Sequence, residues 1–310
     1  MRRILVVGGN GFIGSHLVDT LAGYQWDVTV IDGSPRKFSQ IPNSVHYLQA
    51  DFNNSVPEIE NMVYESAPDV VFHLAWKTIP ETSIKNPARD VGINLIPSLN
   101  LISVCAKAGI KLIFTSSGGA IYGAVNAPCI SETHETSPIS PYGIEKLMVE
   151  KYLFMYRYLY GLDYLTIRPS TPFGPWQDYS GKQGAVAVFL YRVAQGLPVS
   201  LWGDGSIVRD YFYISDLVDA LIKCADHHTQ DDQHTFNVGG GTGVSLIQLL
   251  GWIEEIVGKK ALIEQYPMRK FDPQTIVLDT TRIREELGWF PKVSLKEGLQ
   301  KTWEWMSKVI

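Results

Sequence analysis

The sequence predicts an α/β protein, a Rossmann-type doubly wound parallel sheet carrying a smaller, mostly C-terminal lobe. Three observations lead there. A short β-branched run at residues 4–7 breaks at once into the glycine turn Gly8-Gly-Asn-Gly-Phe-Ile-Gly14, and helical apolar spacing follows. Further strand signals alternate with helical stretches as far as residue 167, the pattern of a parallel sheet covered on both faces. Beyond residue 168 the alternation stops, and prolines and glycines gather at 169–175 and 196–205.

Each element has its own signal. Residues 12–21 space their apolar side chains at helical intervals, and 28–31 reads as a second strand ending at Asp32. Apolar runs at 45–48, 70–74, 112–115 and 164–167 are the remaining strands, separated by helical stretches such as 93–108 and 142–160. In the last half, helices are expected at 185–194, 246–257, 281–287 and 295–306. The expected division is a dinucleotide-binding half over 1–168, to which part of 206–240 returns, and a substrate-binding lobe over 169–310.

Composition narrows the function. At 310 residues, 45% apolar and 19% charged, the chain can bury a full core and has the make-up of a soluble globular protein. A net charge of −5 argues against a nucleic-acid partner, because binding a phosphate backbone needs a basic surface. Cys105, Cys129 and Cys224 are odd in number and far apart, so neither a disulfide framework nor a metal site is expected, and a reducing compartment is. No stretch approaches 18 consecutive apolar residues, and the run after Met1-Arg-Arg breaks too soon for a leader. The expectation is a cytoplasmic protein without a membrane partner.

The glycine turn is the first chemical signal. Gly8-x-x-Gly11-x-x-Gly14 sits between a strand and a helix, where glycines let backbone approach a pyrophosphate at the helix N-terminus. Phe12 and Ile13 lie inside the turn. Gly9-x-Gly11-x-x-Gly14 also fits, so the individual glycine roles stay open. Asp32, 18 residues beyond Gly14, can accept hydrogen bonds from ribose hydroxyls and would repel a 2′-phosphate. NAD is therefore favoured over NADP, although Arg36 and Lys37 are cations that could accommodate the phosphate. Asp51 and Phe52, after the third strand, could hydrogen-bond and pack an adenine.

The second signal is Tyr142-Gly-Ile-Glu-Lys146. Residues four apart share a helix face, so this tyrosine and lysine can reach one ligand. A phenol with an ordinary pKa of about 10 is a poor base unless positive charge stabilises its phenolate. Lys146 is spaced to help, and an oxidised nicotinamide would add to it. Ser116-Ser117-Gly-Gly follows the strand at 112–115, at the sheet's carboxyl edge where ligands bind in such folds. Ser117 can relay a proton beside Tyr142. With the glycine turn, this set points to hydride-transfer chemistry.

Read together, these pieces resemble the extended short-chain dehydrogenase/reductases, specifically the nucleotide-sugar epimerase branch typified by UDP-glucose 4-epimerase. The matching segments span nearly the whole chain: Gly8 to Gly14, His73-Leu-Ala75, Asn94, Ser116 to Gly123, Tyr142 to Lys146, Arg168-Pro169, Phe173-Gly-Pro175, Gly203-Asp-Gly205, Arg209-Asp-Tyr211, and Asp279 to Trp289. The resemblance implies Tyr142 as acid/base, Lys146 as the ribose-holding cation and Ser117 as hydroxyl partner. It implies a cofactor groove lined by Leu74, Ala75, Lys77, Asn94, Ser116 and Pro169, and substrate contacts from Thr171. It implies diphosphate clamps at Arg209 and Arg269, the latter three residues before Asp272, and a loop at 199–202, including Val199 and Trp202, packed on the base. Gly118-Gly119 stands where dehydratases of this fold carry Asp-Glu, and the glutamate of decarboxylating relatives is absent, so neither elimination nor decarboxylation is implied. Two departures bear on the sugar: Ser170-Thr171-Pro172 replaces a stretch often holding Asn, and Trp76 replaces a commonly small residue.

The expected activity is NAD-dependent inversion of C4 in a UDP-hexose through a 4-keto sugar; the alternative is a nucleotide-sugar 4-ketoreductase consuming NAD(P)H with the same tyrosine and lysine. The helix at 142–160 is apolar on more than one face, which leads to the expectation of a homodimer paired through it and 93–108.

Overall fold

The computed structural model describes every residue except 1, 25, 53–55, 126, 182–183, 229–232 and 270–271, and the side chains of 56 and 57. The strands in chain order are β1 (Arg3–Val7), β2 (Asp27–Asp32), β3 (Val45–Gln49), β4 (Val70–His73), β5 (Lys111–Thr115), β6 (Tyr164–Pro169), β7 (Thr171–Phe173), β8 (Pro198–Trp202), β9 (Val208–Tyr213), β10 (Thr235–Val238), β11 (Gly243–Ser245), β12 (Leu262–Tyr266) and β13 (Thr275–Ile276). Seven of them form one sheet in the order β10-β6-β5-β4-β1-β2-β3. All its pairings are parallel, so helical crossovers cover both faces. The doubly wound reading holds.

Strand alternation sorts the core into two layers. Ile4 and Val6 pack with Val28, Val30 and Phe72 against the Phe12–Ala22 and Ile214–Asp226 helices. Leu5 and Val7 face the other way, with Val71, Leu112 and Phe114, toward Val63, Leu101 and Ile102. β4, β5 and β6 are buried along their whole length, as central strands covered on both faces must be. The order reverses between β1 and β4, and the crevice above their carboxyl ends is where ligands of such sheets bind.

The chain does not stay in one lobe. After β9 it returns, and β10 pairs with β6 in register Phe236 to Ile167. Trp289, fully buried, donates from Nε1 to the Asp216 carbonyl at 2.9 Å. The smaller lobe has its own core, in which Phe189, Leu190, Leu249, Leu250, Ile253 and Leu299 surround Phe173. Its strands β7, β9, β11 and β13 form a second sheet, while β8 pairs with β12. Residues 199–202, expected as a loop, are therefore most of a strand.

Among the described residues one helix, Pro87–Ala108, is 22 residues long and apolar enough to cross a membrane. It holds no run of 18 consecutive apolar residues, because Arg89, Asp90, Asn94, Asn100 and Lys107 interrupt it. Leu101, Ile102, Val104 and Cys105 on this helix are fully buried in the core.

Candidate active site

The glycine turn is built by close approach. Gly8 has φ +89°, and a Cβ there would lie 2.5 Å from the Ala75 nitrogen; one on Gly14 would lie 2.2 Å from the Gly8 carbonyl oxygen. Gly11 is open, with its nearest neighbour 3.6 Å away. Two glycines thus compact the turn, and the third leaves room. The Phe12–Ala22 helix starts here without a side-chain cap, so its first N–H groups have no side-chain acceptor. A cavity of about 850 Å³ runs from Gly8 and Gly11 along Asp32, Asp51, Phe52, Leu74, Ala75 and Lys77.

Asp32 accepts from the Asn10 N–H through Oδ2 and from the Ser34 N–H through Oδ1, both at 2.9 Å, which fixes its carboxylate at the groove. The two neighbouring cations are committed elsewhere. Arg36 is paired with Asp19 and donates to the Gln40 carbonyl, while Lys37 lies 2.9 Å from Asp178. Lys77 bridges both oxygens of Asp51, at 2.6 and 2.9 Å. The groove fits NAD: it has a glycine cradle and a ribose-facing carboxylate, and the two cations nearest that carboxylate in sequence, Arg36 and Lys37, are both ion-paired.

Asn94 is placed differently from the expectation. It is buried and lines neither cavity. Its Oδ1 accepts from the Lys77 N–H at 2.8 Å, and its Nδ2 donates to Thr78 Oγ1 at 2.9 Å and Asp90 Oδ1 at 3.1 Å. Asn94 holds the loop after β4 in shape. It sits in a π-helical segment, Val91–Leu95, within the 87–108 helix.

The Pro141–Tyr160 helix is started by Ser140, whose hydroxyl accepts from the Gly143 N–H, and by Pro141 at the first turn. It packs tightly on the Ser-Ser-Gly-Gly loop, because a Cβ on Gly143 would lie 2.7 Å from the Ala120 carbonyl oxygen. The Tyr142 N–H is taken by Ser83 Oγ at 3.1 Å. Burial pushes the Tyr142 phenol up to about 12; the Ser117 hydroxyl beside it lowers the value, and Asp90 raises it further. Lys146 is buried and donates to the Thr115 carbonyl at 2.7 Å. Its Nζ is 5.9 Å from the centre of the Tyr142 ring, and the hydrogen-bond partner of the phenol is Ser117. The Ser116 hydroxyl is buried with no protein partner among the described residues.

A second cavity, about 720 Å³, continues from the glycine turn into the lobe. It is lined by Phe12, Ile13, Gly14, Ser116, Ser117, Tyr142, Lys146, Pro169, Thr171, Arg209, Arg269 and Asp272. Arg269 is held by Asp272 at 2.6 Å and Glu81 at 3.5 Å and lies 4.9 Å over the Trp202 ring. Arg209 on β9 donates to the Val208 carbonyl at 2.8 Å. Val199 faces the lobe core with no exposed surface, and Trp202 stacks on Tyr266 at 4.9 Å while supporting Arg269. Val199 is thus turned away from the cavity, and Trp202 stands behind Arg269.

Several cavity residues went unread in the sequence, among them Thr78, Glu81, Gln177 and Asp178. The 173–178 segment also ties the lobes together: His16 stacks on Trp176 at 4.2 Å, and its Nε2 meets the Pro175 carbonyl at 2.8 Å. Trp176 has φ +65°, a backbone state that costs a large residue about 1–3 kcal/mol and that the surrounding contacts must hold.

A family model described as "NAD dependent epimerase/dehydratase family" matches residues 4–239. The fold superposes on UDP-glucose 4-epimerase from Thermotoga maritima solved with UDP-glucose, at TM-score 0.93 and 39% identity, with 99% of each chain covered. It superposes equally, at TM-score 0.93 and 34% identity over the whole of both chains, on the Thermus thermophilus UDP-glucose 4-epimerase complex with NAD. The chain is also 32% identical over 305 residues to a dTDP-4-dehydro-6-deoxyglucose reductase of Escherichia coli, covering 96% of this chain and 95% of that one. The glycine cradle, the Ser-Tyr-Lys set and these matches agree: the chain belongs to the NAD dependent epimerase/dehydratase family, and is an NAD-dependent nucleotide-sugar epimerase of the extended short-chain dehydrogenase/reductase type.

Proposed function

We propose that the protein inverts C4 of a UDP-sugar of the UDP-glucose/UDP-galactose type through a transient 4-keto sugar. One observation carries the proposal: Ser117, Tyr142, Lys146, Arg209 and Arg269 open on one cavity that is continuous with the glycine turn. Gly8, Gly11 and Gly14 would seat the NAD pyrophosphate, Asp32 its adenosine ribose, Asp51 and Phe52 its adenine, and Leu74, Ala75 and Lys77 the wall of the groove. When bound, NAD supplies the oxidant that takes a hydride from the sugar carbon and gives it back, and its oxidised ring adds positive charge near the phenol.

The chain's own residues handle the proton and the anchoring. Tyr142 as phenolate takes the proton of the sugar's 4-hydroxyl and later returns it, with Ser117 sharing the hydrogen bond. Burial holds the phenol at about 12, so Tyr142 needs positive charge close by, to which Lys146 contributes. Arg209 and Arg269 suit a diphosphate, because guanidinium groups make charge-assisted bonds to phosphate oxygens. A substrate anchored at its diphosphate leaves the hexose free to turn and present its other face. Purified protein given UDP-galactose should form UDP-glucose without added nucleotide, and Tyr142→Phe should lower the rate about 10²- to 10⁴-fold. A requirement for stoichiometric NADH or NADPH would assign the 4-ketoreductase activity instead, and inertness toward every UDP-hexose would refute the epimerase.

We also infer a homodimer. Ile144, Met148, Met155 and Leu159 form an exposed apolar stripe on the Pro141–Tyr160 helix, and Ile96 is exposed on the neighbouring helix. The functional division proposed is a cofactor half at 1–168 with part of 206–240, and a sugar-binding lobe over 169–310. Three free cysteines favour a cytoplasmic setting.

A further inference from the structure

Lys146 is a buried amine with no counter-ion in contact. Its side chain is enclosed, and among the described residues no carboxylate lies within ion-pairing distance of Nζ. A buried ammonium in that position is costly unless something else stabilises it. Three rings and a carbonyl surround it. Nζ lies 3.9 Å from the centre of the Trp76 ring, 4.7 Å from that of Phe114 and 5.9 Å from that of Tyr142, and it donates to the Thr115 carbonyl. An aromatic face attracts a cation through its quadrupole, most strongly for tryptophan and when water is excluded.

Trp76 is the ring best placed to matter. It comes from the loop after β4 and lines both the dinucleotide groove and the sugar cavity. It meets Tyr142 edge to face at 6.0 Å and Phe114 at 6.4 Å. Its Nε1 is buried without a partner among the described residues, so no hydrogen bond sets the position of the indole. What the ring offers Lys146 is its face.

We propose that Trp76 is a positioning residue whose indole face holds the Lys146 ammonium, charged, beside Tyr142 at the boundary of the two cavities. The role given to Lys146 rests on the function proposed above; its contact with the Trp76 ring does not. The other ionisable groups around Lys146 come from several elements. Glu150, one turn further along the helix, favours the ammonium and is itself bound to Arg168. His73, on β4, faces Lys146 and is kept neutral by burial, and Tyr142 has Asp90 behind it, next to Glu145. Burial pushes Lys146 down to about 7, against which Glu150 acts. The indole face opposes the same burial.

The test is the titration of Lys146 in the NAD-loaded protein, read by NMR on lysine labelled with ¹⁵N at Nζ, with Lys146→Met identifying the signal. Trp76→Leu should lower the Lys146 midpoint by roughly one pH unit, and Trp76→Phe, which keeps a face, by less. The alkaline limb of the epimerase pH profile should move down in the same order. Should the leucine variant not fold, tryptophans of increasing fluorination installed at position 76 weaken the face without changing its outline, and the midpoint should fall with each fluorine. An unchanged midpoint in Trp76→Leu, or no trend across the fluorinated series, overturns the proposal. A wild type that titrates as described yet turns over no UDP-hexose sinks the functional reading and leaves this one standing.

Discussion

Glu150→Gln should be the most damaging single-atom exchange outside the cavity. Glu150 meets Arg168 in a forked pair, Oε1 to Nε at 3.1 Å and Oε2 to Nη2 at 2.5 Å, with side chains only 7% and 8% exposed. Arg168 also donates to the Tyr122 hydroxyl at 2.8 Å, which in turn donates to Asn237 Oδ1 at 2.7 Å. The network therefore ties the helix of Tyr142 and Lys146 to β6 and β10. The glutamine keeps one acceptor but leaves the guanidinium without its compensating charge, a loss of about 3–5 kcal/mol. For a protein of this size that corresponds to a fall in Tm on the order of 10 °C. Scanning calorimetry on the NAD-loaded protein measures it. Glu150→Leu combined with Arg168→Met removes both charges and should recover most of the loss, because a well-packed apolar pair carries no desolvation debt. A Tm for Glu150→Gln within 2 °C of wild type (roughly the effect of 1 kcal/mol or less), or a double variant as unstable as the single one, refutes the reasoning.

Four other outcomes follow from the same structure. Gly14→Ala drives a methyl into the Gly8 carbonyl, so NAD retained through purification should fall about 100-fold or more, while Gly251→Ala, with nothing within 4 Å, should stabilise its helix by about 1 kcal/mol; nucleotide released on denaturation and Tm report the two. His73 is buried neutral with its pKa pushed down to about 3, against an ordinary 6.5, so the unfolded chain binds a proton there that the folded one refuses. Stability should then fall by about 1.4 kcal/mol per pH unit between 6.5 and 3 on this account, and His73→Gln, which can keep the bond to Ser98, should make the acid limb shallower by one proton in urea titrations at several pH values. Met148→Glu should turn a dimer into monomers in light scattering at micromolar concentration; a wild-type monomer there would remove the dimer altogether.

Local features were legible in the sequence, and non-local ones were not. The glycine turn could be read because its three glycines fall within seven residues between a strand and a helix, although what crowds Gly8 is the distant Ala75. The central strands could be read because burial on both faces makes them continuous apolar runs. The second sheet left no such mark. Its strands run from two to six residues and pair across wide sequence gaps, β7 with β9 and β9 with β13. At 199–202 the alternation of buried Val199 and Leu201 with Ser200 was present, but Pro198 and Gly203 framed it as a loop. Asn94 was found as a polar residue of the site, but its work could not be, because its partner is a backbone N–H 17 residues away. Glu150 and Arg168 were invisible as a pair for the same reason.

The pairing of β10 with β6 has a practical consequence for anyone dividing this chain. A fragment ended at residue 168 would keep the nucleotide turn yet bare a full strand edge whose amides and carbonyls have lost their mates. Such an edge recruits other copies, so the fragment should precipitate or form ladders of itself before it ever binds a ligand. Shuffling sugar pockets between relatives therefore calls for grafts that carry the returning strand along with its host.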